Sequence, residues 1–271
     1  MGILRIHSEI PGIGPDTIFS IAGFPIANST LMIVLVVVLT IILAFFLRKR
    51  TKLIPDSFQN FAEASYEVVY NLVHSVTGNP AVTNKIFPLV GSLFFFILVS
   101  NTEGLLPGIN EITYAGIPFF RSATADFNTT FSLALGMIIL IQFVNIKEVG
   151  IFSYIGKFFQ FKQVWVGFRT SIKEGFMSLI MFAIGLLDII SEMAKVVSLS
   201  LRLFGNMYAG QVLATVILAG FAYGLPAIWM SLSVLSAVVQ TLVFALLVTA
   251  YYSISVSDTE TDLESVPVKS N

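Results

Sequence analysis

GFMSLIMFAIGLLDIISEMAKVVSLSLRLFGNMYAGQVLATVILAG, residues Gly175–Gly220, is almost wholly apolar, contains no proline and reads as one continuous helix. At about 65 Å it is far longer than the ~30 Å of hydrocarbon in a bilayer, so it cannot stand upright there. It nevertheless carries Asp188, Glu192, Lys195 and Arg202. A charge inside a membrane helix costs at least about 2.5–3.5 kcal/mol, so the cluster asks for an explanation. Stepping about 100° per residue puts Asp188, Glu192, Lys195, Ser198, Arg202 and Asn206 in one polar stripe roughly 120° wide. Asp188, Glu192 and Lys195 stand at spacings that let them pair with one another, which would make them a packing device. Arg202 has no such local answer. No charge occurs between it and Asp258, and a guanidinium cannot shed its proton. Its counter-charge is expected from another subunit, and the small residues Gly205 and Ala209 beside it admit a close neighbour. On the following apolar stretch Ser233, Ser236 and Gln240 share one face, a pattern that serves a packing seam as well as a site.

The whole chain fits a membrane setting. Of 271 residues 56% are hydrophobic and 11% charged, against about 25% charged in soluble domains. The 15 basic and 16 acidic residues balance, so nothing marks the chain as a nucleic-acid binder. Cysteine is absent, which excludes disulfides, thiolate metal sites and a cysteine nucleophile, and His7 and His74 are the only imidazoles. No metal, cofactor or catalytic centre is expected. The N-terminal residues lack the pattern of a cleaved signal, so the first apolar run is expected to stay.

Charge-free runs then set the expected order. A first span over 28–47 stops at Arg48, Lys49, Arg50 and Lys52, and residues 55–77 form an amphipathic surface helix ended by Gly78, Asn79 and Pro80. Spans over 86–102 and 127–146 flank a loop, 103–126, and a basic loop covers 147–174. The stretches 175–220 and 224–257 make a strongly tilted helical hairpin, followed by an acidic tail, 258–271. The expected fold is an all-α integral membrane protein with five crossings and one amphipathic surface helix, treated as a single membrane domain. Lysine and arginine concentrate after the first and third spans, whereas residues 1–27 hold only Arg5 and the 103–126 loop only Arg121. The N-terminus is therefore expected outside and the tail in the cytoplasm.

SLSLRLFGNMYAG, Ser198–Gly210, resembles the signature of subunit a of F-type ATP synthases, and the likeness extends through DIISEMAKVV, Asp188–Val197, TADFNTTFSLAL, Thr124–Leu135, and VVQTLVFALLVTAYY, Val238–Tyr252. The resemblance implies a non-catalytic stator facing a rotating ring of subunit c, with peripheral stalk subunit b, other synthase subunits and lipid as further partners. Two aqueous half-channels would load and unload the ring carboxyls. Arg202 matches the family's essential arginine, which attracts the ionised ring carboxylate and blocks leakage. Asn206 and Gln240 match polar residues near it, and Asp188 and Glu192 match acids on the cytoplasmic stretch of the helix. Asp126 and Asn128 match the polar start of the helix entered from outside. The FGN after Arg202 and the N-terminal extension look more like bacterial than mitochondrial members, which implies a bacterial plasma membrane.

Two positions depart from the family. Gln211 and Ser233 stand where relatives often carry titratable groups, so the usual inlet pair is absent. One of Glu103, Glu111 or Asp126 is expected to supply the missing acid, with water bridging inward past Gln211. Sodium coupling is the alternative within the family. A secondary transporter is the main alternative outside it, although no inverted repeat is visible. An intramembrane enzyme would need a nucleophile with a base or a metal, for which His7 and His74 offer little.

Overall fold

The apolar runs become helices where polar residues cap them. In the computed structural model, which describes residues 12, 14–21, 23–105, 113–114, 117–151, 154, 169, 172–220 and 224–264, the chain is all-α apart from two small hairpins. Helix α1 spans Asn28–Arg50, α2 Ser57–Thr77, α3 Pro80–Glu103, α4 Phe127–Val149, α5 Ile172–Gly220 and α6 Leu225–Glu264. Five of them, all but α2, are long and apolar enough to cross a membrane. The protein is a multi-pass membrane protein.

Local chemistry sets the boundaries. The Asp56 side chain accepts from Gln59 N at 3.0 Å to start α2, and Gly78, at φ 64°, ends it in the left-handed conformation that only glycine adopts freely. Asn79 then accepts from Ala81 N at 2.9 Å, and Pro80 occupies the first helical position, where its missing N–H costs nothing. The Gly-Asn-Pro signal therefore both ends one helix and starts the next, and α3 begins six residues before the charge-free run at Ile86. At the other end of the chain α6 continues past Ser257 to Glu264, because no glycine or proline interrupts it before Pro267.

The chain divides into two compact units, Met1–Thr130 with Ser200–Ala250 and Phe131–Leu199 with Tyr251–Asn271. The first holds α1, α2, α3, an antiparallel hairpin of β1 (Thr17–Ile21) with β2 (Phe24–Ala27), and a second of β3 (Thr113–Tyr114) with β4 (Ile117–Pro118). Neither hairpin is signalled by hydropathy, since these strands are too short to alternate visibly. Its core includes Met32 and Val36 of α1, Val90 and Ile97 of α3, Leu203 of α5 and Phe244 and Val248 of α6. Tyr66 and Tyr70 of α2 meet Phe87 of α3 edge-on, with ring centres 4.7 and 5.2 Å apart. Gln59, on the polar side of α2 by sequence, is buried because it closes the α1–α2 loop, accepting from Lys52 N and donating to Lys52 O. In the second unit Met137, Ile138 and Ile141 of α4, Val196 and Leu199 of α5 and Tyr252 of α6 are buried.

Candidate functional site

In the first unit α5 and α6 run antiparallel, held by Ser236 Oγ donating to Asn206 Oδ1 at 3.0 Å and by Trp229 Nε1 donating to Gly210 O at 3.3 Å. One helical turn from the Asn206–Ser236 bond, back along α5 and forward along α6, stand Arg202 and Gln240, so this register sets the two at the same level. Arg202 is exposed and makes no hydrogen bond or ion pair among the described residues. Its surroundings on the helix are apolar, with Leu201 half exposed. Gln240 is buried, and its Nε2 finds no acceptor among the described residues. Ser233 lies half-buried one turn before its neighbours on the face. The seam thus presents an exposed cation on α5, with amides and hydroxyls on the same two helices within a few turns of it.

A second polar group gathers where α3 ends. Asn101 is fully buried and donates from Nδ2 to Ala237 O at 3.4 Å and Thr241 Oγ1 at 3.3 Å, tying α3 to α6. Glu103 is buried too, its Oε1 accepting from Ala123 N at 3.4 Å while Oε2 has no donor among the described residues. Gly104 follows, and a Cβ there would collide with Ser122 Oγ and stand 3.7 Å from Gln211 Nε2. That places the Gln211 amide against the turn after Glu103. Ser100 Oγ and Gln211 Nε2 are likewise buried without a partner among the described residues. Such orphaned polar atoms are rare in folded proteins and mark places that water or an ion satisfies. Ser100, Asn101 and Ser122 were not singled out in the sequence, where the polar run Ser100–Glu103 at the end of an apolar span is the one available signal.

Asp126 and Arg121 are otherwise engaged. Asp126 is buried at the start of α4, where Oδ1 accepts from Asn128 N at 3.0 Å and Oδ2 from Ser29 Oγ at 2.6 Å and Thr129 Oγ1 at 3.4 Å. It caps the helix, its charge suits the helix N-terminus, and it joins α4 to α1. The side chain of Asn128 itself is exposed. Arg121 donates to the carbonyls of Gly14, Gly12 and Ala125 at 2.6, 2.6 and 3.3 Å, holding the N-terminal segment. Glu111 lies outside the described residues. Asp126→Ala is expected to lose about 2–3 kcal/mol, a cap plus a charge-assisted bond; thermal unfolding of the detergent-solubilised protein measures it, and an unchanged midpoint contradicts this role.

The second unit has its own polar cluster. Lys195 Nζ donates to Glu192 Oε1 at 2.6 Å and lies over the Tyr251 ring, 5.2 Å from its centre. The pairing foreseen from spacing therefore engages Glu192, while Asp188 is half-buried with no partner among the described residues. The Tyr154 hydroxyl donates to Gln142 Oε1 at 2.6 Å. Burial and then the charge of Glu192 push that phenol up to about 12, so it remains a donor at neutral pH. Asn145 donates from Nδ2 to Gln142 Oε1 and to Ser255 Oγ.

Residues 30–253 match the profile of the family described as ATP synthase A chain. Among curated relatives, the chain is 32% identical over 228 residues to ATP synthase subunit a of Campylobacter concisus, covering 83% of this chain and 88% of that one. It is 35% identical over 218 residues to ATP synthase subunit a of Geotalea uraniireducens, covering 80% and 82%. With that of Moorella thermoacetica it shares 30% identity over 237 residues, covering 88% and 94%.

Proposed function

The chain belongs to the ATP synthase subunit a family, and from that premise we propose that it is the stator whose two half-channels load and unload the carboxyl groups of a rotating ring of subunit c. As a synthase subunit it works with other synthase subunits in a membrane. The observation that carries the finer reading is Arg202: an exposed guanidinium on an apolar helix, with no counter-charge among the described residues. Such a charge is tolerated where an ionised partner comes to it. A ring carboxylate supplies that partner, is released as it takes up a proton on the far side, and cannot pass the arginine while neutral. Asn206, Ser233, Gln240, Gln211 and Glu103 line the path on one side of this divider. Asp126 and Asn128 mark its mouth, and Asp188 and Glu192 belong to the cytoplasmic path.

Each charge moved through 100 mV releases about 2.3 kcal/mol, so several crossings are summed for each ATP formed. The chain itself catalyses no reaction in this scheme. The basic loops support a cytoplasmic placement of the α1–α2 and α4–α5 connections, hence an external N-terminus and a cytoplasmic C-terminus in a bacterial plasma membrane. Because Gln211 and Ser233 carry no titratable group, the alternative within this reading is the same stator coupled to sodium. Affinity purification of the tagged chain from mildly solubilised membranes is expected to bring down a ring of small hairpin subunits, the stalk subunit b and a soluble ATPase head. A chain that purifies alone and binds a small solute would instead indicate a secondary transporter.

A further inference from the structure

We infer that Glu103 is the carboxyl group that exchanges protons in the outer half-channel, with the Gln211 amide lining the next step inward. The inference rests on the stator reading above and assigns to Glu103 the place of the missing inlet pair.

The two carboxyls of this region are provided for in opposite ways. Asp126 receives three hydrogen bonds and is committed to the start of α4. Among the described residues Glu103 receives one long bond, from Ala123 N at 3.4 Å, and its second oxygen is enclosed without a donor. An ionised carboxylate offers about four acceptor sites, and at Glu103 the described residues fill one of them, which leaves the others for water. A carboxyl with a structural task has its acceptors filled by fixed donors, as Asp126 has. A group that must alternate between protonated and ionised forms needs an environment between full satisfaction and none, which water completes when it arrives.

The neighbouring atoms give water a place to stand. Gln211 Nε2 and Ser100 Oγ are also buried without partners among the described residues, and the Gln211 amide lies against the turn at Gly104, where a Cβ would stand 3.7 Å from it. The proton path is then simple. A hydronium from the aqueous side gives its proton to the Glu103 carboxylate and leaves as water. The proton passes from the neutral carboxyl, through water beside Gln211, to an ionised ring carboxylate, and Glu103 is left ionised for the next. Gln211 offers that water a donor and an acceptor and keeps its own protons.

The test is ATP-driven acidification of inverted membrane vesicles containing the complete complex, normalised to assembled enzyme, over a range of pH. Glu103→Gln is expected to slow pumping tenfold or more, and Gln211→Glu in the same chain to restore a substantial part of it with a different pH profile. A role confined to packing would not respond to a carboxyl moved to the facing helix. Native pumping by assembled Glu103→Gln overturns the proposal. So does failure of that variant to assemble, because the amide keeps the acceptor used by Ala123 and a titrating role needs no charge for assembly. Arg202→Ala runs alongside: pumping by that variant brings down the stator reading itself, whereas its silence beside an active Glu103→Gln brings down only the role of Glu103.

Discussion

Gly104→Ala is expected to remove most of the chain from the assembled complex. The residue has an ordinary helical φ of −64°, so the objection to a side chain is not conformational. It is steric: the added Cβ would overlap Ser122 Oγ and lie 2.7 Å from Ser122 Cβ. The hydroxyl can rotate away, but the Cβ moves only with its backbone, and Ser122 is fully buried beside the turn Ala123–Ala125. Overpacking of this kind costs about 1–3 kcal/mol, enough to change cellular abundance several-fold. Ser122→Gly removes both offending atoms and is expected to restore assembly in the double variant. Immunoblots of purified membranes measure the effect, and normal levels of Gly104→Ala alone contradict the packing described here.

Arg202→Ala is expected to lower coupled pumping at least a hundredfold while leaving ATP hydrolysis by the soluble head in place. At 4 Å and an effective dielectric of about 20, a guanidinium and a carboxylate attract by roughly 4 kcal/mol. On the proposed stator reading, that energy would make it favourable for a ring carboxyl to lose its proton on reaching Arg202. In the variant each ring carboxyl would then keep its proton through the interface, or the two proposed half-channels would exchange protons directly, and in both cases rotation would cease to be tied to ion flow. Passive proton conductance of de-energised vesicles separates the two failures. Conductance above native would show that Arg202 had been the barrier to leakage; conductance at native level would show that it had chiefly driven deprotonation.

The long α5, the order of helices and the isolation of Arg202 were legible in the sequence because each depends on one-dimensional features: apolar length, charge spacing and the lack of proline. The pairing of Glu192 with Lys195 was legible for the same reason, being a contact between residues three apart. Asn101 was not, because its partners Ala237 and Thr241 belong to a helix far along the chain. Nor does sequence distinguish Glu103 from Asp126, two acids at the ends of one loop. What separates them is the donors brought by Ser29 and Thr129 to one and withheld from the other. The start of α3 shows a further limit, since a proline read as the end of a helix serves equally as the first residue of the next.

The central claim, that Arg202 divides two half-channels and couples ion flow to rotation, meets its most direct test in ATP-driven acidification of inverted vesicles. Native and Arg202→Ala complexes are compared with and without sodium, after assembly of both is confirmed. The account predicts acidification by the native complex that is indifferent to sodium and absent in the variant. Acidification that persists in an assembled Arg202→Ala complex would contradict it.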